Sequence, residues 1–460
     1  MSISIWENID HLNFNEYECI KNGFLRNNKG EMSFFRDKES RLLSKAVGEV
    51  AVKDFNFEDR EGQIPREEFQ LEFKHKHYSV DQRILMLAIP QSRKINQING
   101  KNTYIDIYVV EEFEFIDKHC SIEAEYLIEF LGGLKIDHIF PHSIGMNEIH
   151  EKKYELYGTN FEIIEKIINH NNFTKNSIRI KLEDEDVYII KLGVGDRGLI
   201  LYRKNLELFK RDKIRKIISF ILGFPLVFYG YTFVNKYMTP SFSYSRTIPD
   251  NERGQLTINV QVPTPLSLSA LNVIDCEIFK NLVLELYLKY DEYDLGNIFF
   301  TYWVAVNSNS ITAAVHYGAL IEKLQATYMK IHDVSYSKIL DKASFKKMRE
   351  RLQQQLDRFE LTCEQKKIFL NKIGNMNTYS QKDKMDFFCN DISLSLSNIE
   401  KLAWQQRNDA AHGNDISDIN QAWKNTIILR ELVNKFLLKL LTSNKYYLSY
   451  LDGKPAIKAL

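Results

Sequence analysis

Met238-Thr239-Pro240-Ser241-Phe242-Ser243-Tyr244-Ser245-Arg246-Thr247-Ile248-Pro249 and, shortly after it, Gln255-Leu256-Thr257-Ile258-Asn259-Val260-Gln261-Val262-Pro263-Thr264-Pro265 decide how this chain divides. Pro240, Pro249, Pro263 and Pro265 surround an alternating run at Gln255 to Val262. Proline cannot donate to a central ladder, so strand structure is being punctuated and brought to an end here. Beyond Pro265 the only proline is Pro455. At 460 residues the chain exceeds the size, roughly 250–300 residues, at which one core stops growing. The boundary is therefore placed close to Pro265. The expected fold class is α+β, with a strand-rich domain over 1–265 followed by an all-α bundle over 266–460.

Upstream of the boundary, Glu68 to Phe73 alternates apolar with polar residues, the period of a half-buried strand. Ile84 to Ile89 and Thr103 to Val110 flank the turn signal Asn99-Gly100-Lys101-Asn102 and predict a hairpin with a long loop. Val187 to Leu192 and Leu199 to Arg203 predict strands on either side of a glycine-rich turn. Helices are expected at Ala124 to Leu131, Tyr154 to His170 and Leu206 to Leu222. Downstream, apolar residues recur at helical spacing in Glu277 to Tyr290, Ile311 to His332, Ser344 to Glu360, Asp391 to Ala411 and Ile419 to Leu441. A bundle of about five or more helices is the simple reading.

Charge balances to zero, with 61 basic and 61 acidic residues, which argues against wholesale coating of nucleic acid or membrane while leaving room for a local patch. The five cysteines, Cys19, Cys120, Cys276, Cys363 and Cys389, are scattered and form no C-x-x-C, so a reducing cytoplasm is expected. Met1 to Asp10 carries Glu7 and Asp10 and no apolar core, so no secretory signal is expected. Ile217 to Val234 is uncharged and just meets the length needed to span a bilayer. Leu222-Gly223-Phe224-Pro225 interrupts it, however, so it reads as a helix ending near Leu222, a turn and a buried strand, with no membrane partner.

Arg407-Asn408-Asp409-Ala410-Ala411-His412-Gly413 carries the chemistry. Arg forks two donors onto phosphate oxygens. His both accepts and donates protons near neutral pH. Asn408 and His412 are i, i+4 and share a helix face. Arg407 and His412 are i, i+5, about 140° apart, so they do not. Either the helix breaks near Ala411 or a second copy of the chain completes the site. Gly413 at a helix C-terminus would set His412 where the dipole favours imidazolium. The competing reading is a solvated helix end with Arg407 and Asp409 paired on the surface.

The same seven residues, on a helical C-terminal domain, resemble the R-x4-6-H motif of HEPN ribonucleases. In the form R-N-x-x-A-H-G they look like the HEPN domain of ApeA-type anti-phage defence proteins, which also place a large domain before it. The resemblance covers 266–460 by motif and helical pattern. It implies metal-independent endoribonuclease activity on RNA, tRNA among the candidates, by a symmetric homodimer or higher homo-oligomer. A phage-encoded trigger would act in abortive infection. It assigns catalytic roles to Arg407 and His412, with Asn408 orienting them, and it implies no cofactor and no metal. The 2′-OH would attack the adjacent phosphorus, His412 would move a proton, and Arg407 would stabilise the phosphorane. A non-catalytic HEPN adaptor for dimerisation or RNA binding is the alternative, and a ligand-binding regulator built on the first domain is a third.

Other signals are weaker. Gly193-Val194-Gly195-Asp196-Arg197-Gly198 matches G-x-G-x-x-G, but a strand pattern follows it instead of the helix that a dinucleotide site requires, so a hairpin turn is expected. His75, His77, His119, Cys120, His138 and His142 match no standard zinc spacing. Arg203-Lys204, Lys210-Arg211, Lys213 and Arg215-Lys216 are expected to form one basic face, which is either solvated or tracks an RNA backbone. Lys346-Lys347, Arg349 and Arg351 form another, which is either solvated or lines a substrate groove. Glu322 stands in an otherwise apolar helix, either supporting the Arg407 site or exposed.

Overall fold

In a computed structural model of the protein, the residues described are 12–21, 30–37, 41–49, 67–75, 78–98, 101–117, 124–134, 142–155, 162–182, 185–191, 197–203, 206–235, 240–250, 252, 275–334, 338–411, 418–449, 451 and 456–460. The fold is α+β: strands dominate the N-terminal half, and the helices that follow make up most of the C-terminal half. The chain divides into two units. One comprises Met1–Val262 with Leu268–Lys280, and the other Pro263–Ser267 with Asn281–Leu460.

In the first unit thirteen described strands pair antiparallel: β1 (Leu12–Lys21), β2 (Gly30–Arg36), β3 (Leu42–Glu49), β4 (Glu67–His75), β5 (Tyr78–Ile98), β6 (Lys101–Asp117), β7 (Tyr126–Gly132), β8 (His142–Glu155), β9 (Glu162–Leu182), β10 (Glu185–Lys191), β11 (Gly198–Tyr202), β12 (Val227–Val234) and β13 (Pro240–Arg246). The order is β3-β2-β1-β4-β5-β6-β13-β12-β7-β11-β10-β9-β8, with a further β3–β6 pairing. That extra pairing closes β1 to β6 into a ring. The first part of β6 pairs with β3 from Thr103 to Val110, and its last part pairs with β13 from Glu112 to Ile116, so the sheet branches at β6. Phe34, Leu42, Val110 and Phe113 are buried in the first unit. Ile128, Phe130, Leu199 and Val234 form another apolar cluster.

Several expectations need correction. The Asn99-Gly100 hairpin has no long loop: Ile98 already faces Lys101, so β5 and β6 close tightly. Ala124 to Leu131 is not helical. Its core is β7, held between β11 and β12, and a short apolar run covered on both faces carries no period that separates strand from helix. Tyr154 to His170 is likewise not helical. It spans the end of β8 and the start of β9, where β-branched Ile163, Ile164, Ile167 and Ile168 suit a pleated surface. Gln255 to Val262 lies outside the described residues.

Helix α1 (Leu208–Leu222) ends as its sequence suggests. Gly223 takes a left-handed φ of 71°, and its N–H and that of Phe224 donate back to Phe220 and Ser219. β12 follows and alternates buried with half-buried positions. β10 and β11 pair as the expected hairpin, Lys191 opposite Gly198, with 192–196 outside the described residues. Among the described residues no helix is long and apolar enough to cross a membrane.

The remaining helices are α2 (Cys276–Leu288), α3 (Leu295–Asn307), α4 (Ser310–Ile331), α5 (Lys342–Leu356), α6 (Cys363–Asn375), α7 (Gln381–Asp391), α8 (Asn398–Ala411) and α9 (Ile419–Leu441). The helix expected over Asp391 to Ala411 begins only at Asn398, as α8: Asp391 is the last residue of α7, and Ser393 takes a left-handed φ of 51° in the break between them. A two-stranded sheet, β14 (Tyr446–Ser449) and β15 (Ala456–Ala459), follows α9, so the C-terminal part is not purely helical. α4 is central and packs against α3, α8 and α9. Tyr302, Tyr317, Leu320, Ile321, Leu429, Val433 and Phe436 are buried there.

Cys363 is exposed and Cys389 buried, and burial pushes the Cys389 thiol up to about 12. Since the thiolate is the nucleophile, a maleimide should label Cys363 well before Cys389 at neutral pH, read by peptide mass spectrometry. Equal labelling of the native protein would contradict this packing.

Candidate functional site

The N-terminus of α8 sets the site. Ser397 and Glu400 form a reciprocal cap: the Ser397 N–H and hydroxyl donate to Glu400 Oε2, both at 2.8 Å, and the Glu400 N–H donates to Ser397 Oγ at 3.3 Å. The other carboxylate oxygen of Glu400 accepts from Lys435 Nζ of α9 at 2.8 Å, and both side chains are buried. One residue therefore caps the helix and fastens it to its neighbour.

Seven residues on, nearly two turns, Arg407 lies on the same inward face. It is only 7% exposed. Its guanidinium is not spread on the surface. Nη2 donates to Glu322 Oε1 of α4, Nη1 donates to the Trp404 carbonyl at 2.7 Å, and the group lies 3.2 Å from the centroid of the Trp404 ring. Burial pushes the guanidinium below its usual value while Glu322 pulls it up; an arginine stays charged under both influences. The described bonds use two of its five N–H donors.

Gly318, one turn before Glu322 on α4, makes this approach feasible. A Cβ there would meet Arg407 Cδ at 2.4 Å and Nε at 2.9 Å. In an exposed helix, Gly to Ala stabilises by about 1 kcal/mol. Here the sign should reverse: Gly318→Ala is expected to destabilise by about 1–3 kcal/mol as Arg407 is forced aside. Chemical denaturation of the variant checks this, and an unchanged or raised midpoint would contradict it.

Of the residues named from sequence, the structure brings Arg407 to Glu322, so the solvated-helix-end reading does not hold for Arg407. Glu322 remains 41% exposed while bonded, and it is the open side of the pair. α8 carries the backbone of Asn408 as far as Ala411, but the Asn408 side chain is outside the described residues, as is all of His412. Sequence reasoning missed Trp404; its i, i+3 spacing to Arg407 was the available signal. It also missed the Ser397–Glu400 cap, which reads S-x-x-E.

Among the described residues no three His, Cys, Asp or Glu side chains gather to hold a metal. His77, His119, Cys120 and His138 lie outside the described residues. No family model, no curated protein and no solved structure matches the chain.

Proposed function

We propose that the helical part of this chain is a HEPN-type endoribonuclease acting without metal, as a homodimer, in cytoplasmic anti-phage defence. RNA is its substrate, with tRNA among the candidates. The observation that supports this reading is the setting of Arg407: an arginine of an R-N-x-x-A-H-G motif, buried, stacked on Trp404 and bonded to a half-exposed carboxylate of α4. A charge held in low dielectric, with donors to spare, acts more strongly on a phosphorane than one in water. His412 is the proton carrier in this reading and Asn408 orients it. Glu322 positions Arg407.

The same geometry also favours a second reading. Glu322 and the Trp404 carbonyl already engage the guanidinium, which would suit a structural arginine in a non-catalytic dimerisation or RNA-binding adaptor. Wild-type protein, Arg407→Ala and His412→Ala are to be incubated with total RNA plus chelator and the fragment ends mapped. The nuclease reading expects 2′,3′-cyclic phosphate ends from wild type alone. Binding without cleavage, with and without a phage lysate to supply a trigger, favours the adaptor.

A further inference from the structure

α5 and α6 form an arm unlike the rest of the helical unit. No side chain of α5 is buried, and in α6 only Ile373 is. The arm is closed at its base. Asn377, itself buried, donates from Nδ2 to the Leu340 carbonyl at 2.9 Å and accepts the Leu340 N–H at 2.7 Å; its own carbonyl accepts the Ile339 N–H. Residues 341–376 thus leave and rejoin the unit at one fastened point. Along α5 a half-buried stripe, Phe345, Met348, Leu352 and Leu356, repeats at three- and four-residue spacing. The other faces are in solvent.

Those faces carry an excess of positive charge. α5 carries Lys342, Lys346, Lys347, Arg349 and Arg351 against the single carboxylate of Glu350, an excess of four positive charges in a chain whose total is zero. Lys342, Lys346 and Arg349 follow i, i+4, i+7, and Lys347 and Arg351 follow i, i+4, so two rows of cations climb the helix at about 6 Å per step. Several lysines elsewhere are neutralised: Lys323 by Asp294, Lys366 by Asp357 and Lys216 by Asp212. None of the five α5 cations has an ion pair among the described residues. Exposed Phe359, just past α5, and Phe369, on α6, add aromatic surface to the same arm.

We propose that α5 is the surface by which this protein holds the sugar–phosphate backbone of RNA. The inference rests on the ribonuclease reading for its choice of polyanion and goes beyond it in naming where substrate is gripped. A regular ladder of unneutralised cations is complementary to a regular ladder of phosphates, and binding is driven by counterion release without sequence preference. The exposed phenylalanines offer faces on which unpaired bases stack. The clamp at Asn377 holds the arm ready in advance of binding, which limits the ordering cost.

The test is separated from cleavage by using a labelled single-stranded 2′-O-methyl RNA, which lacks the attacking hydroxyl, and measuring anisotropy over a salt series. The triple variant K342Q/K346Q/R349Q should bind with a log–log salt slope smaller by about 2, and so roughly 100-fold more weakly than wild type at 0.1 M salt, with the two curves meeting near 1 M. None of the three side chains is buried, so circular dichroism and the melting midpoint should not move. The control K210Q/K213Q, on α1, should leave the slope unchanged. An unchanged slope in the triple variant, an equal loss in the control, or binding to anionic vesicles but not to the RNA would overturn the proposal. Wild type that binds the probe but never cuts unmodified RNA would leave the α5 proposal standing and remove the nuclease reading.

Discussion

Replacing Glu129 with alanine is expected to cost the first unit about 3–5 kcal/mol, a large fraction of the about 5–15 kcal/mol that holds a typical domain folded. Glu129 is wholly buried on β7. Its carboxylate accepts from Arg211 Nη1 at 3.0 Å, from Arg215 Nη1 at 3.1 Å on both oxygens, and from the Tyr202 hydroxyl at 3.2 Å. Both arginines come from α1 and both are buried. Their planes lie over aromatic rings, Arg211 4.5 Å from the Tyr231 centroid and Arg215 4.7 Å from that of Phe228. Burial, and then the charge of Glu129, hold the Tyr202 phenol well above its ordinary value, so it stays a donor. Removing the carboxylate strands two guanidiniums in a dry site, with Asp212 left to neutralise only Arg215. Glu129→Gln keeps an acceptor but no charge and should fall between. Urea unfolding monitored by circular dichroism decides: a Glu129→Ala loss under about 1 kcal/mol would mean that water reaches this cluster.

Arg407→Ala is expected to lower RNA cleavage by roughly 10²–10³-fold, the scale of removing one donor to a transition-state oxyanion. His412→Ala should lower it by roughly 10²–10⁴-fold, the scale of losing a proton carrier. Folding should survive the arginine change, because the Glu322 left behind is already 41% exposed and takes up water. Arg407→Lys tells a fork from a point charge. Lysine keeps the cation but not the planar pair of donors, so cleavage should stay low. Retained cleavage in both alanine variants, with a chelator present, would remove the motif from the chemistry. Loss of cleavage only in parallel with lost stability would make Arg407 a structural arginine.

Those two clusters show where sequence stops being legible. The course of α1, Gly223 and β12 could be read because each step has a local cause: a glycine that takes the left-handed cap, and apolar alternation afterwards. α4 and α9 could be read because long apolar stripes repeat at helical spacing. β7 could not, because every position from Leu127 to Gly132 is buried, which erases the period; its one carboxylate, Glu129, resembles a polar helix position. β9 misled for another reason. The paired isoleucines at 163–164 and 167–168 fit four-residue spacing as well as they fit a strand, and pairing with β8 settled the matter. Within the site, the motif was visible, but the partner of Arg407 lies 85 positions away on α4, and no spacing rule reaches that far. The break before α8 was visible in principle, since Ser397-Asn398-Ile399-Glu400 has the spacing of a cap ahead of an apolar run.

Glu400 is bound at once to Ser397 and to Lys435, so the rotational phase of α8 is fixed at its first turn. Arg407 inherits that phase across seven residues, which return nearly to the same bearing. Its encounter with Gly318 and Glu322 is thus a matter of counting. One residue inserted or deleted between 400 and 407 would swing the guanidinium by about 100° with every side chain still present. The segment acts as a ruler, and its length is under tighter constraint than the identity of the residues that fill its outward side.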